Sequence, residues 1–471
     1  MMRSLFAGVS GLKTHQTKMD VIGNNIANVN TVGFKSQSVT FQELLYETTQ
    51  AASGPNGDTG RGGTNAKQIG LGVTQGAIST AITTQGASQT TGNPFDIRIS
   101  GENFFIVNDG SSNFFTRAGA FTVDSAGNLV MTTNGYKVQG WQPDVNDPSI
   151  IKQDTVSPLK ITTAENLTVP PSATTYAMAS GILDKNNKSL NSADGAIYNL
   201  NFYDNLGYAY TAKFKVEIVN SELGEYAISI QDILDVNGDS IVPEGSDINE
   251  LVEFGNGGVS QLQYDANTGE FININGTHEE LNEATGQMEV VNTLTSVLTF
   301  NQNFAYADGS TLGHFSNVEI DFSTTNTYDN NGTSTFGMDA GDSDGNWAGK
   351  QMGNMTGVSI TTSGLIYGTY DNGDKKLLGQ IATASFANAA GLAKVGENLY
   401  EETLNSGVFD GIGVDVTADG GSMSTGVLEM SNVDLSTEFT EMITTQRGFQ
   451  ANSRIITTSD SMLEELVNLK R

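Results

Sequence analysis

The chain has no cysteine, which excludes disulfides and thiolate metal sites. Basic side chains are scarce, 23 against 53 acidic for a net charge of −30. That balance argues against a nucleic-acid partner and against docking on an anionic membrane. No run of 18 apolar residues exists, so no membrane insertion through a helix is expected. Lys13, His15, Lys18 and Asp20 interrupt what would be the apolar stretch of a secretory signal, so any export is expected to proceed without a cleaved signal peptide. Proline is rare, eight residues against 54 glycines. The glycines sit in turn contexts, which reads as folded β-structure joined by many hairpins.

Chemistry-bearing constellations are missing too. The three histidines, His15, His278 and His314, are scattered and show no metal-ligand spacing or triad arrangement. Asp235-x-Asn237-x-Asp239 and Asp339…Asp342-x-Asp344-Gly345 are fragments of a calcium-loop pattern that lack Glu at the twelfth position, and they read as solvated acidic turns. No phosphate-cradling Gly-rich loop precedes a Lys-Ser/Thr pair. No cofactor, no metal and no enzymatic activity are expected.

What the chain does have lies at its two ends. Residues 3–30 place Leu5, Val9, Leu12, Met19, Ile22 and Ile26 at helical spacing, and residues 435–469 do the same with Leu435, Phe439, Met442, Phe449, Ile456, Leu463 and Leu466. Two amphipathic helices separated by a β-rich middle cannot bury these stripes locally. They are expected to pair with each other or with neighbouring copies, the other reading being a local helical hairpin that closes one domain. Residues 1–48 and 431–471 together carry a net charge of −1 and the middle −29. Nearly neutral ends suit packed helices, and an acidic middle suits a solvated surface that keeps dispersed subunits apart.

The opening helix should stop near Asn28–Thr31, where Asn24, Asn25, Asn28, Asn30 and Gly33 favour a left-handed exit. Residues 35–68 read as a linker, Gly-rich over 53–67. Between 95 and 141 strand-like runs such as Phe104–Val107 and Tyr136–Trp141 alternate with Asn-Gly and Gly-Asn turns, the pattern of a meander. After residue 145 the loops lengthen and become more acidic, and the earlier pattern returns near 358. The fold expected is mainly β with terminal α-helices. A helical coiled-coil core over 1–34 and 428–471 carries nested β-domains, an inner one over 69–145 and 356–427 and an outer insertion of one or two subdomains over 146–355.

Four blocks carry a family resemblance. Asn24–Lys35 (NNIANVNTVGFK) resembles the N-terminal signature of the bacterial flagellar axial proteins of the rod and hook family. Leu428–Leu466, with Ser431, Asn432 and Asp434 in its SNVDL start and Gln446 and Arg447 in QRGFQANS, is similar to that family's closing helix. Residues 118–141 and 378–407 resemble its inner β-domain. The resemblance implies a structural subunit that polymerises with itself into a curved tube transmitting motor torque to the filament. It further implies rod, hook-cap and hook–filament junction proteins and the flagellar type III export gate as partners, and an extracellular location at the flagellar base. The insertion of roughly 210 residues favours a hook-type over a distal-rod-type member. A secreted β-rich adhesin is the alternative from another class, but it has no need of paired end helices.

Several of these residues have a physical reading of their own. Asp434 and Ser431 precede the first apolar positions of the closing helix, where a side-chain acceptor caps free N–H groups. Gln446, Ser453 and Asp460, and Gln16 and Gly23 in the opening helix, interrupt the apolar register at seven-residue intervals, a cost in stability that fixes register. In Thr40–Tyr46 (TFQELLY), Phe41 and Leu45 lie four residues apart. The spacing fits a core-facing turn of helix, and it also resembles the element with which rod and hook subunits dock on the export gate.

Overall fold

The computed structural model describes residues 2–55, 60, 62–145, 147–192, 194–243, 245–255, 257–282, 287–302 and 311–469. They form two compact units. The first comprises 1–166, 357–369 and 375–471, and the second 167–356 and 370–374.

The first unit contains both terminal helices. The opening helix runs over Met2–Ala27 and ends where Asn28 donates its side-chain amide to Asn24 Oδ1 at 2.7 Å. Asn residues here compete with the helix for its own backbone partners. The closing helix runs over Leu435–Asn468, and the Asp434 carboxylate accepts from the backbone N–H groups of Ser436 and Thr437. Those bonds hold the Asp434 carboxyl below its usual range, as expected of a capping carboxylate beside the positive end of a helix.

Residues expected as a linker form a β-ribbon. Gln37–Glu43 pairs antiparallel with Val73–Thr80, with a bulge at Thr40/Phe41. Tyr46–Gln50 pairs with Lys67–Gly70, and Ser53 and Thr64 close the ladder. The Thr and Gln side chains, whose β-branching and cross-strand hydroxyl bonds suit a strand, hide this pairing behind a polar composition. In TFQELLY, Thr40–Glu43 ends one strand and Tyr46 begins the next, with Leu44 and Leu45 between them, so the segment is not a turn of helix.

The β-part of the first unit centres on Phe104–Asn108, buried on both faces over Phe104–Val107. Strand positions match the expected runs, but the order departs from a meander. Lys137–Trp141 returns to pair with Phe104–Asn108, and Asn113–Thr116 pairs with Leu399–Glu401 from the far end of the chain. Phe104, Phe115, Trp141 and Tyr400 share one core cluster. Long-range pairing wins because each strand has too little apolar surface to be satisfied by its hairpin partner alone. The composition change near 145 precedes the structural boundary: Ser157–Pro158 still pairs with Lys137–Trp141, and the first unit continues to Asn166.

The second unit contains two five-stranded sheets. One orders Val252–Phe254, Thr295–Phe300, Val318–Asn326, Tyr176–Ile182 and Gly337–Ala340, and the other Ala196–Tyr203, Ala209–Asn220, Glu225–Leu234, Val259–Tyr264 and Phe271–Ile274. Alternation of buried and exposed positions, plain in Val259–Tyr264, marks strands with one dry face. Leu200, Phe214 and Leu262 of one sheet lie in the same buried cluster as Phe254, Leu298 and Phe322 of the other. A single core between two sheets is the arrangement of a β-sandwich.

Candidate assembly surfaces and the junction behind them

The two terminal helices pack antiparallel, and of the apolar stripes Ile22 and Ile456 are among the residues that meet. Ser4 Oγ faces Ser459 Oγ at 3.4 Å. A Cβ on Gly8 would lie 3.1 Å from Ile456 Cγ1, one on Gly11 2.6 Å from Asn452 Nδ2, and one on Gly448 2.7 Å from His15 Cε1. Lys18 Nζ sits 3.0 Å from Glu441 Oε2, and Asn25 Nδ2 donates to Glu438 Oε1 at 2.8 Å. Positions 4, 8, 11, 15, 18, 22 and 25 alternate by four and three, the spacing of a coiled-coil seam. Gly8, Gly11 and Gly448 let the backbones approach closely, and Ile456, Asn452 and His15 of the facing helix occupy the gaps that they leave.

This geometry sorts the expected assembly residues. Ile22 is 2 % exposed and belongs to the seam. Leu5, Leu12, Met19 and Ile26 are half-buried, as are Met442, Phe449, Ile456 and Leu463. Val9 (54 %), Leu435 (39 %), Phe439 (50 %) and Leu466 (49 %) face solvent. Gln16, Gly23, Gln446 and Asp460 are exposed, while their neighbours His15, Ile22, Thr445 and Ser459 take the seam. The seam therefore lies one residue, about 100°, before each of these four positions on the helix. Phe6 (65 %), Ile443 (58 %) and Ile455 (44 %) add to the outward apolar surface. An apolar face of this extent on a helix pair marks an interaction surface.

Among the signature residues, Asn25 and Asn432 each make three side-chain hydrogen bonds, and Asn25 bridges the most elements. It is 1 % exposed, donates to Gln37 O at 2.8 Å and accepts from Gln37 N–H at 3.0 Å, so one side chain ties together both helices and the ribbon. Asn432 Oδ1 accepts from Ser36 N–H at 2.8 Å, and its Nδ2 donates to Ala81 O at 2.9 Å. Phe34 is buried beneath Lys394 Nζ, 4.9 Å from the ring centroid. Ser431 is also buried and accepts from Val433 N–H at 3.3 Å. Asn24 and Asn30 are exposed, and Arg447 reaches Gln450 on its own helix, at 3.5 Å. Phe41 (40 % exposed) meets the edge of His15, centroids 5.3 Å apart, and Leu45 is 80 % exposed.

The junction contains three charged residues that the apolar pattern did not single out. Lys35 Nζ lies 2.7 Å from Glu429 Oε1, each side chain 1 % exposed. Arg117 Nη1 lies 3.8 Å from Glu429 Oε2. Lys35 also donates to Thr84 O at 2.7 Å, Gly86 N–H donates to Glu429 Oε1 at 2.9 Å, and Arg117 Nη2 donates to Gly101 O at 2.7 Å. Burial pulls the Lys35 ammonium below its ordinary value, and Glu429 works against that shift. A charge set this dry persists only when paired and hydrogen-bonded. Lys35 and Glu429 each lie inside a signature block; a lone charge among apolar and small residues was the signal available. Among the described residues no group of three or more His, Asp or Glu is placed to hold a metal.

Comparison with known proteins bears on this arrangement. Residues 5–35 match the family described as flagella basal body rod protein, 98–181 match the flagellar hook protein FlgE/F/G D1 domain, and 424–469 match the flagellar basal body rod FlgEFG protein C-terminal family. The chain is 38 % identical to the flagellar hook protein FlgE of Borreliella burgdorferi, with all of both chains covered. It is 37 % identical to FlgE of Treponema pallidum, again over the whole of both. A protein of Bacillus subtilis named flagellar basal-body rod protein FlgG is 30 % identical over the full length of both. A solved structure of the Helicobacter pylori hook protein FlgE2 aligns at TM-score 0.34 and 14 % identity, covering 73 % of this chain and all of the other, too weak a likeness to carry an inference. The full-length identities show that this chain, mainly β with paired terminal helices, belongs to the flagellar hook protein family.

Proposed function

We propose that many copies of this chain polymerise into the flagellar hook, a curved tube that transmits torque from the motor to the filament and acts as a universal joint. The observation that carries this reading is the outward apolar face of the terminal helix pair, from Phe6 and Val9 to Phe439 and Ile443. Among the described residues these side chains stay exposed, and copies of the same helices in neighbouring subunits would cover them. The polar, glycine-lined seam sets the register of each pair, and the apolar stripe supplies cohesion between pairs. The chemistry is mechanical and the subunit is no enzyme. Its acidic second unit forms solvated surface, and small polar contacts there permit neighbouring subunits to slide.

With no cysteine, the assembly cannot use a Cys–Lys cross-link, so cohesion is non-covalent or uses other chemistry. The assembled hook lies outside the cell at the flagellar base. It meets the rod, a hook cap and the hook–filament junction proteins. Phe41 and Leu45, on an exposed ribbon, are the residues offered to the export gate before assembly.

Electron microscopy of basal bodies from cells lacking this chain tests the reading. Complete rods without hooks are expected. Truncated rods would move the chain to the rod, and intact hooks would overturn the assignment.

A further inference from the structure

The second unit carries a cavity of about 760 Å³, open to solvent between the segment 172–175 and the turn 345–350. Its walls are fixed by backbone bonds: Ser172 N–H donates to Lys350 O at 2.9 Å, Lys350 N–H to Ser172 O at 2.8 Å, and Thr175 N–H to Trp347 O at 3.1 Å. The turn is tied down by the Asp342 carboxylate, which accepts from Asp344 N–H and Asn346 N–H, each at 2.9 Å, and from Asn346 Nδ2 at 3.0 Å.

The chain has two tryptophans, placed in opposite environments. Trp141 is 1 % exposed and Trp347 62 % exposed, and Trp347 lines the cavity. Its φ is +59°, a left-handed backbone that is an outlier for a bulky side chain. Folding gains little from an indole held there, since most of it stays in water, and Gly or Asn would fit the turn at lower cost. Tyr176 meets the Trp347 ring edge-on, centroids 6.2 Å apart, and is itself held by its hydroxyl bond to Asp321 Oδ2 at 2.9 Å. The indole is thus braced on one side and open on the other.

The rest of the lining selects the ligand. Beside the indole stand Ser172, Thr175, Asn346, Lys350 and Asp374, whose hydroxyl, amide, ammonium and carboxylate groups offer both donors and acceptors. Lys350 Nζ lies 2.6 Å from Asp374 Oδ1, and both side chains remain partly exposed. One aromatic platform among convergent polar groups suits a ring with an apolar C–H face and a hydroxylated rim. An apolar peptide finds little purchase, because the other apolar lining is Ala173 and Ala348. An anion such as a nucleotide or a sugar acid is opposed, because Asp342 and Asp344 on the turn and Asp374 outnumber Lys350. We propose that Trp347 and the Lys350–Asp374 pair form a binding site for a neutral saccharide, a pyranose ring stacked on the indole with its hydroxyls bonded to the ammonium and the carboxylate. A free sugar and the terminal unit of a glycan share this chemistry.

Because Trp141 is buried and Trp347 is not, quenching of tryptophan emission by acrylamide reports on the site. Dispersed full-length chains are titrated with glucose, galactose and N-acetylglucosamine, with cellobiose, lactose and chitobiose, and with glucuronate, so the outcome does not depend on polymerisation. Saturable protection from quenching by at least one neutral sugar is expected, and none by glucuronate. Tighter binding of a disaccharide than of its monosaccharide identifies a glycan end, and equal binding a single ring; either supports the site. Trp347→Gly suits the left-handed backbone, so it is expected to keep the urea transition while weakening binding, read by calorimetry, by about tenfold. Lys350→Met leaves the backbone bonds to Ser172 in place and should weaken binding as well. No saturable response to any neutral sugar would overturn the proposal, as would equal binding of glucuronate or undiminished binding in either variant.

Discussion

Lys35 and Glu429, 394 positions apart in the chain, meet at 2.7 Å in a space where each side chain is 1 % exposed. The pair joins the exit of the opening helix to the approach of the closing helix. Removing one partner strands the other charge in a dry site, which costs about 3–5 kcal/mol. Glu429→Gln leaves Lys35 and Arg117 without an anion and is expected to lower the free energy of unfolding by about that amount. Urea denaturation of dispersed subunits measures it; a loss under about 1 kcal/mol would show the site to be wetter than the geometry says.

Two glycines near the first helix should respond oppositely to alanine. Gly33 has φ +70°, and a Cβ there would fall 2.8 Å from Ala118 N. Both the left-handed backbone and the clash with main chain oppose the change, so Gly33→Ala is expected to destabilise by about 2 kcal/mol or more. Gly23 lies in the helix with nothing within 4 Å of a built Cβ, and Gly23→Ala should stabilise by about 0.5–1 kcal/mol. Denaturation midpoints of the two variants should move in opposite directions.

The helices and most strands were legible because apolar spacing follows local geometry, as at Phe104–Val107 and Val259–Tyr264. Which helical face meets which was not. Close approach in the seam rests on Gly8, Gly11, Gly448 and Asn452, which no apolar period marks, whereas the apolar pattern mixes the seam residues Ile22 and Ile456 with outward ones such as Val9 and Phe439. The ribbon over 37–80 leaves no apolar period in the sequence because its pairing is carried by Thr, Gln and Ser in a Gly-rich context. The return of Lys137–Trp141 to Phe104–Asn108 depends on pairing across some 30 residues, which no local period records. The Lys35–Glu429–Arg117 set was invisible for the same reason, since its three members become neighbours only once both ends of the chain are in place.

Acid should loosen the helix seam. His15 Nδ1 is buried without a hydrogen-bond partner among the described residues, and desolvation, then the charge of Lys18, lowers the His15 value from 6.5. Lys18 on the same helix is paired with Glu441 opposite, and Phe41 of the ribbon covers the ring edge. With the folded value below the unfolded one, the unfolded chain takes up the proton first. Stability from this site is therefore whole above pH 6.5 and falls as pH drops below it through the folded value. The difference in unfolding free energy between the parent chain and His15→Gln should shrink between pH 7.5 and about pH 5, cancelling groups common to both. A pH-independent difference would show that the ring is not desolvated in the seam.

The two faces of the closing helix predict separable defects. Ile456 packs on Gly8 across the seam, so Ile456→Asp introduces a charge between the helices and is expected to cost the dispersed subunit about 2–4 kcal/mol. Phe439 is 50 % exposed on the outward face, so Phe439→Asp should change subunit stability by no more than about 0.5 kcal/mol. Both should abolish polymer, the first by unpairing the helices and the second by placing charge where a neighbour must pack. Deleting 435–471 should likewise leave dispersed subunits with folded β-units. Denaturation separates the first two variants, and sedimentation shows polymer loss in all three. Polymer at normal yield from Phe439→Asp would mean that the outward stripe is not the face through which helix pairs cohere, and cohesion would then have to come from contacts between β-units.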